Sequence, residues 1–91
     1  MIRWTPAALR DLETLHACIA DDDPRAAANT AEAIISGIEM LKLHPDLGRK
    51  GRVPGTRELI VSPYVIAYRA RKPDIEVLAI IHSARRWPDE F

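Results

Sequence analysis

The chain has 91 residues, 47% hydrophobic and 29% charged, which fits one ordinary globular domain, leaves little room for a second and argues against disorder throughout. So short a chain buries only about 60–65% of the surface its unfolded form exposes, so a partner would add appreciably to its stability. Formal net charge is zero, yet residues 1–47 hold four Lys/Arg against eight Asp/Glu and residues 48–91 hold nine against five; a basic half attracts phosphate or acidic surfaces even on a neutral molecule.

At the N-terminus, Ile2–Trp4 is a short apolar opening that "TP" ends. Thr5 is placed to cap a helix and Pro6 to occupy its first position, where a missing N–H costs nothing. Leu9, Leu12, His16 and Ile19, with Leu15 beside them, then recur at helical spacing and predict one apolar stripe. Cys18 falls among those positions and is expected to be buried and inert. In "DDDP" the same device recurs, with Asp23 as cap and Pro24 at the first position. Ala27, Ala31, Ile34, Ile38 and Leu41, flanked by Ile35, mark one face of the second helix until "HPDLG" stops it. Two helices joined this tightly form an antiparallel hairpin.

From Gly48 to Leu59 runs "GRKGRVPGTREL", with three of the four glycines and four of the thirteen basic residues. Beyond it the period becomes strand-like: "RELIV", "YVIAYR" and "IEVLAIIH" are rich in β-branched and aromatic residues, with breaks short enough for hairpins. The expected fold is α+β in two layers: an N-terminal strand, an antiparallel helical hairpin and a three-stranded antiparallel meander, in the order β-α-α-β-β-β, over residues 1–91 as one domain. The tail "SARRWPDEF" reads as a short helical turn followed by loose chain.

No apolar run reaches the roughly 18 residues of a membrane span. The opening "MIRWTPAALRDL" lacks a basic segment before an apolar one, and the single Cys18 has no partner for an internal disulfide, so a cytoplasmic protein is expected. His16, His44 and His82 lie in different elements without ligand spacing, so neither a metal site nor another cofactor is expected. "GRKGRVPG" lacks the Gly-Lys-Ser/Thr ending of a phosphate-binding P-loop and leads into a strand, where that loop needs a helix N-terminus.

What remains is a cationic constellation. Arg49, Arg52 and Arg57 in and after the loop, Arg69 on the middle strand, and Arg85, Arg86 and Trp87 after the last strand are candidates for a single anion- or target-binding surface. His82 closes the last apolar run, where a group titrating near neutrality can serve as general acid or base. Cleavage of RNA by its 2′-hydroxyl needs a proton acceptor, a proton donor and cations; His82, Glu58, Tyr64 and the arginines are the candidates.

The strings "GTRELIVSPYVIAYR" and "IEVLAIIHSARRWP", in this order of elements, resemble the RelE/ParE family of bacterial toxins, the toxic halves of type II toxin–antitoxin (plasmid stabilisation) modules. The resemblance spans nearly the whole chain and implies the fold already reached from periodicity. RelE-like members cut mRNA in the ribosomal A site with basic residues on two strands, an arginine after the last strand and a C-terminal tyrosine or histidine. Here Arg85 matches, whereas Glu58 stands where a lysine is expected, Val65 where the strand arginine would be and Phe91 where the tyrosine would be. ParE-like members inhibit DNA gyrase without hydrolysis, and this ending is more similar to theirs, with Arg85, Arg86 and Trp87 as implied anchors. The implied partners are a cognate antitoxin with an acidic segment, in a hetero-oligomer, and gyrase. The alternatives are the ribosome and mRNA, with His82 and Arg85 catalytic, or a degenerate toxin kept as an antitoxin-binding regulator.

Overall fold

A computed structural model describes all residues from Met1 to Phe91. The elements are β1 (Ile2–Trp4), α1 (Pro6–Asp22), α2 (Pro24–Met40), β2 (Arg49–Lys50), β3 (Arg57–Val61), β4 (Tyr64–Arg71) and β5 (Asp74–His82). They form one five-stranded sheet of order β1-β5-β4-β3-β2. β2 to β5 pair antiparallel, whereas β1 lies parallel to β5 at one edge.

Both helices start as their capping residues dictate. Thr5 Oγ1 accepts from Ala8 N at 3.2 Å, and Asp23 Oδ1 accepts from Ala26 N at 3.1 Å. Asp23 is the one residue between the helices, and its N–H also donates to Ile19 O at the end of α1. A reversal this tight forces the helices side by side.

Thr5 also fastens α1 to the sheet. β1 pairs with β5 only as far as Val77, so the next backbone groups of β5 need other partners. Thr5 N and Oγ1 donate to Val77 O at 3.1 and 2.9 Å, and Ile80 N donates to Asp11 Oδ2 at 3.0 Å. The first turns of α1 therefore complete an edge that β1 is too short to cover.

Ala8 and Leu15 of α1, Ile34 and Ile38 of α2, Ile66 of β4, and Val77 and Ile80 of β5 form the main core. Burying each of the isoleucines contributes about 1.5–3 kcal/mol. Leu41, Tyr68 and Ile75 continue this layer toward the other end of the sheet. The predicted face of α2 is the observed one, except that Ala31 is half-buried and Ile35 exposed. The stripe of α1 is displaced: Leu9, His16 and Cys18 are exposed, and Ala8, Leu12, Leu15 and Ile19 carry the contact.

Two further features differ from expectation. Arg49 and Lys50 form a fifth strand against Glu58 and Arg57, too short to show a period. The tail after His82 makes a turn at Ser83–Ala84 and no helix. It folds back so that Trp87 packs on Ala67, Leu78, Ala79 and Ile81, on the sheet face opposite the helices.

Candidate functional site: a loop–tail junction and a second cleft

The alternation of β3 and β4 divides the sequence-predicted cations between two faces. Arg57 pairs with Tyr68, on the helix side, and Glu58 pairs with Ala67, on the opposite side. Arg49, opposite Glu58 in register, shares that second face. A one-residue step in a strand reverses the direction of its side chain, so neighbouring basic residues of the loop cannot all point one way.

On the face away from the helices, Glu58 is the organising group. Its side chain is 1% exposed. Oε1 accepts from Arg49 Nε at 3.2 Å and Nη2 at 3.0 Å, and Oε2 accepts from Arg52 N at 2.8 Å. Arg52 Nε lies 3.8 Å from the same carboxylate. The Arg52 guanidinium also stands 4.2 Å from the centroid of the Trp87 ring, a cation–π contact joining the loop to the C-terminal tail. Trp87 Nε1 is buried without a hydrogen-bond partner.

Loop geometry holds these groups in place. Tyr68 is fully buried; its hydroxyl donates to Pro45 O at 2.7 Å and accepts from Gly48 N at 2.9 Å. Burial raises its pKa above the ordinary 10.0, partly opposed by the Gly48 N–H and by Arg57. Gly48 has no room for a side chain, since a Cβ would lie 2.7 Å from Tyr68 Cε1 and 2.9 Å from Glu58 O. Gly55, at φ +81°, makes the turn that lets Thr56 N and Oγ1 donate to Val53 O; a positive φ of this kind favours glycine.

The remaining predicted residues lie elsewhere. Arg57 Nη1 donates to Gly48 O at 2.8 Å, and its Nη2 is 3.5 Å from Asp46. Arg69 pairs with Glu76 at 3.5 Å. Arg86 is exposed and has no ion pair. Val65 is 3% exposed, and Phe91 ends the exposed tail. The expected single cationic surface is therefore corrected: Arg49, Arg52, Arg57 and Arg69 each stand against a carboxylate, and Arg57 points to the helix side. The loop and tail do meet, through Arg52 and Trp87.

Arg85 lines a different feature, a cleft of about 420 Å³ between α1 and the ends of β4 and β5, with Arg10, Asp11, Thr14, Tyr64 and His82. Tyr64 and His82 are paired across the strands and meet edge to face, ring centroids 5.4 Å apart. His82 Nδ1 accepts from Ala84 N at 3.0 Å, which assigns the proton of the neutral ring to Nε2. Arg10 and Thr14 did not stand out in the sequence as site residues. The signal was their four-residue spacing, continued by the exposed Cys18 on the same flank of α1.

The sequence model for the ParE toxin of type II toxin–antitoxin systems (parDE) matches residues 2–87. Protein Y4kP of Sinorhizobium fredii is 43% identical over 89 residues, covering 96% of this chain and 92% of that one. Toxin RelE3 of Caulobacter vibrioides is 36% identical over 85 residues, covering 89% and 91%. A solved chain from the chromosomal ParDE system of P. aeruginosa superposes with a TM-score of 0.79 at 24% identity, covering 89% of this chain and 92% of that one, a likeness of fold. The family model spans nearly the whole length and the relatives match over about nine-tenths of it or more: the chain belongs to the ParE toxin family of type II toxin–antitoxin systems.

Proposed function

We propose that this toxin arrests growth by binding DNA gyrase through the loop–tail junction, without hydrolytic chemistry of its own, and that a cognate antitoxin with an acidic segment neutralises it. Glu58 is the observation that carries this reading. It occupies the strand position where a nuclease of this fold would present a cation, and it engages both Arg49 and Arg52. A phosphorane-like transition state needs positive charge directed at it, and here Arg49 and Arg52 are turned onto the Glu58 carboxylate instead. His82, with Nδ1 bonded to Ala84 N, has a protonated Nε2 in its neutral form and so cannot accept a proton there. Arg86 and the exposed rim of Trp87 remain available at the tail as interface anchors of the type that dominates binding energy.

The test is direct. Purified toxin is added to gyrase supercoiling reactions and, separately, to ribosomes programmed with mRNA. Inhibited supercoiling with intact mRNA supports the proposal, and His82→Ala then retains growth arrest while deletion from Arg85 onward abolishes it. A second reading, ribosome-dependent mRNA cleavage, draws on the convergence of His82, Tyr64, Arg10 and Arg85 on one cleft. Cleaved mRNA with normal supercoiling, and loss of toxicity in His82→Ala, would select it. Inactivity in both assays with antitoxin binding retained would leave the regulator.

A further inference from the structure

We propose that the cleft between α1 and β5 is a binding site for a small phosphate ester of nucleoside-monophosphate size, separate from the loop–tail junction to which gyrase binding is assigned. Its two cations are the first reason. Lys42, Arg49, Arg52, Arg57 and Arg69 each have a carboxylate within 4 Å. Arg10 and Arg85 are among the basic residues with none, and these two line one cleft, Arg10 from α1 and Arg85 from the chain just after β5. An oxyanion bound in that cleft would accept charge-assisted hydrogen bonds from these guanidinium groups.

The remaining lining adds donors of matching chemistry. Because Ala84 N occupies His82 Nδ1, Nε2–H is the ring's available donor. The Thr14 and Tyr64 hydroxyls line the same cleft. Asp11 brings the one opposing charge. Its Oδ2 is held by Ile80 N at 3.0 Å, which fixes the carboxylate against the strand and leaves Oδ1 as an acceptor for a hydroxyl or amino group. A volume of about 420 Å³ exceeds the need of a bare phosphate, and the Tyr64 and His82 rings offer apolar surface beside it. An ester with a polar, partly planar organic group uses the whole cleft, whereas inorganic phosphate would use only the arginine end.

The experiment titrates the full chain with AMP, inorganic phosphate, adenosine and a short single-stranded oligonucleotide, following affinity by calorimetry and the His82 ring signals by NMR. AMP is expected to bind and to shift the His82 signals, with inorganic phosphate weaker and adenosine weaker still. Arg10→Gln and Arg85→Gln should each weaken AMP about tenfold, the loss of one charge-assisted contact. Arg71→Gln, which removes an exposed cation elsewhere, should change nothing. Far-UV circular dichroism of each variant checks that it folds. Absence of AMP binding at millimolar concentration overturns the proposal, as does equal weakening by Arg71→Gln. Phosphate binding as tightly as AMP overturns the ester, and an oligonucleotide that binds through Arg10 while AMP does not overturns the small ligand. Gyrase inhibition and AMP binding are read separately, so failure of either leaves the other standing.

Discussion

Replacing Glu58 by glutamine should destabilise the fold by about 2 kcal/mol, a magnitude built from three hydrogen bonds to a buried carboxylate. Glutamine keeps the volume but offers one acceptor where the carboxylate offers two. The amide oxygen can serve Arg52 N or Arg49, and the NH₂ group then faces a donor. Hydrogen bonds to a charged group contribute about 1.5–3 kcal/mol each. The lower part of that range applies because the Arg49 side chain is 57% exposed and can turn to water. Removing one partner of a fully buried pair would cost about 3–5 kcal/mol, an upper bound that the exposure of Arg49 rules out here. For a domain of this size about 2 kcal/mol lowers Tm by roughly 8–16 °C. Urea and thermal unfolding followed by circular dichroism measure it, with Arg49→Gln and the double variant completing a cycle whose coupling should be about 1 kcal/mol. A Glu58→Gln protein within about 0.5 kcal/mol of the parent, the range of ordinary surface changes, would refute the view that Glu58 holds the loop.

Further outcomes concern the residues that hold the loop and the tail. Tyr68→Phe should cost about 1–3 kcal/mol by leaving Gly48 N and Pro45 O unpaired in the interior. Because burial raises the Tyr68 pKa above 10.0, the unfolded chain releases this proton at lower pH than the folded one. Stability is therefore full below about pH 10 and falls as pH rises toward the folded value; Tyr68→Phe should flatten that alkaline decline in denaturant titrations. Gly48→Ala, with its Cβ driven to 2.7 Å from the Tyr68 ring, should lose about 1–3 kcal/mol as overpacking, visible in the unfolding midpoint. Trp87→Ala should cost about 2 kcal/mol, roughly half the penalty of a fully buried ring, whereas Trp87→Phe should stay within about 1 kcal/mol because Nε1 makes no hydrogen bond to lose.

Much of this architecture is legible residue by residue. Thr5-Pro6 and Asp23-Pro24 announce helix starts because a capping oxygen followed by a residue without an N–H satisfies the first turn locally. "RELIV" matches β3 residue for residue, since β-branched side chains such as Ile60 and Val61 suit a pleated surface. The sequence is less informative where a feature depends on distant chain. Cys18 and His16 read as core positions on a helical wheel, but the sheet meets α1 along Ala8, Leu12, Leu15 and Ile19. β2 is two residues long and exists because Glu58 and Arg57 lie opposite it. Glu58 stood in the sequence as a candidate for proton transfer; only the register turns it inward beneath the loop.

The sequence alone therefore determined the helical hairpin, the longer strands and the two-layer plan, because caps, periodicity and turn residues act over a few neighbours, and its motifs carried the resemblance to a toxin family. The tertiary structure decided which cations share a surface. Strand alternation sends Arg57 and Glu58 to opposite faces, the fold of the tail lays Trp87 under Arg52, and Arg10 and Arg85, 75 positions apart, line one cleft. Charge acts through space, and its distribution follows from distances that chain order does not contain.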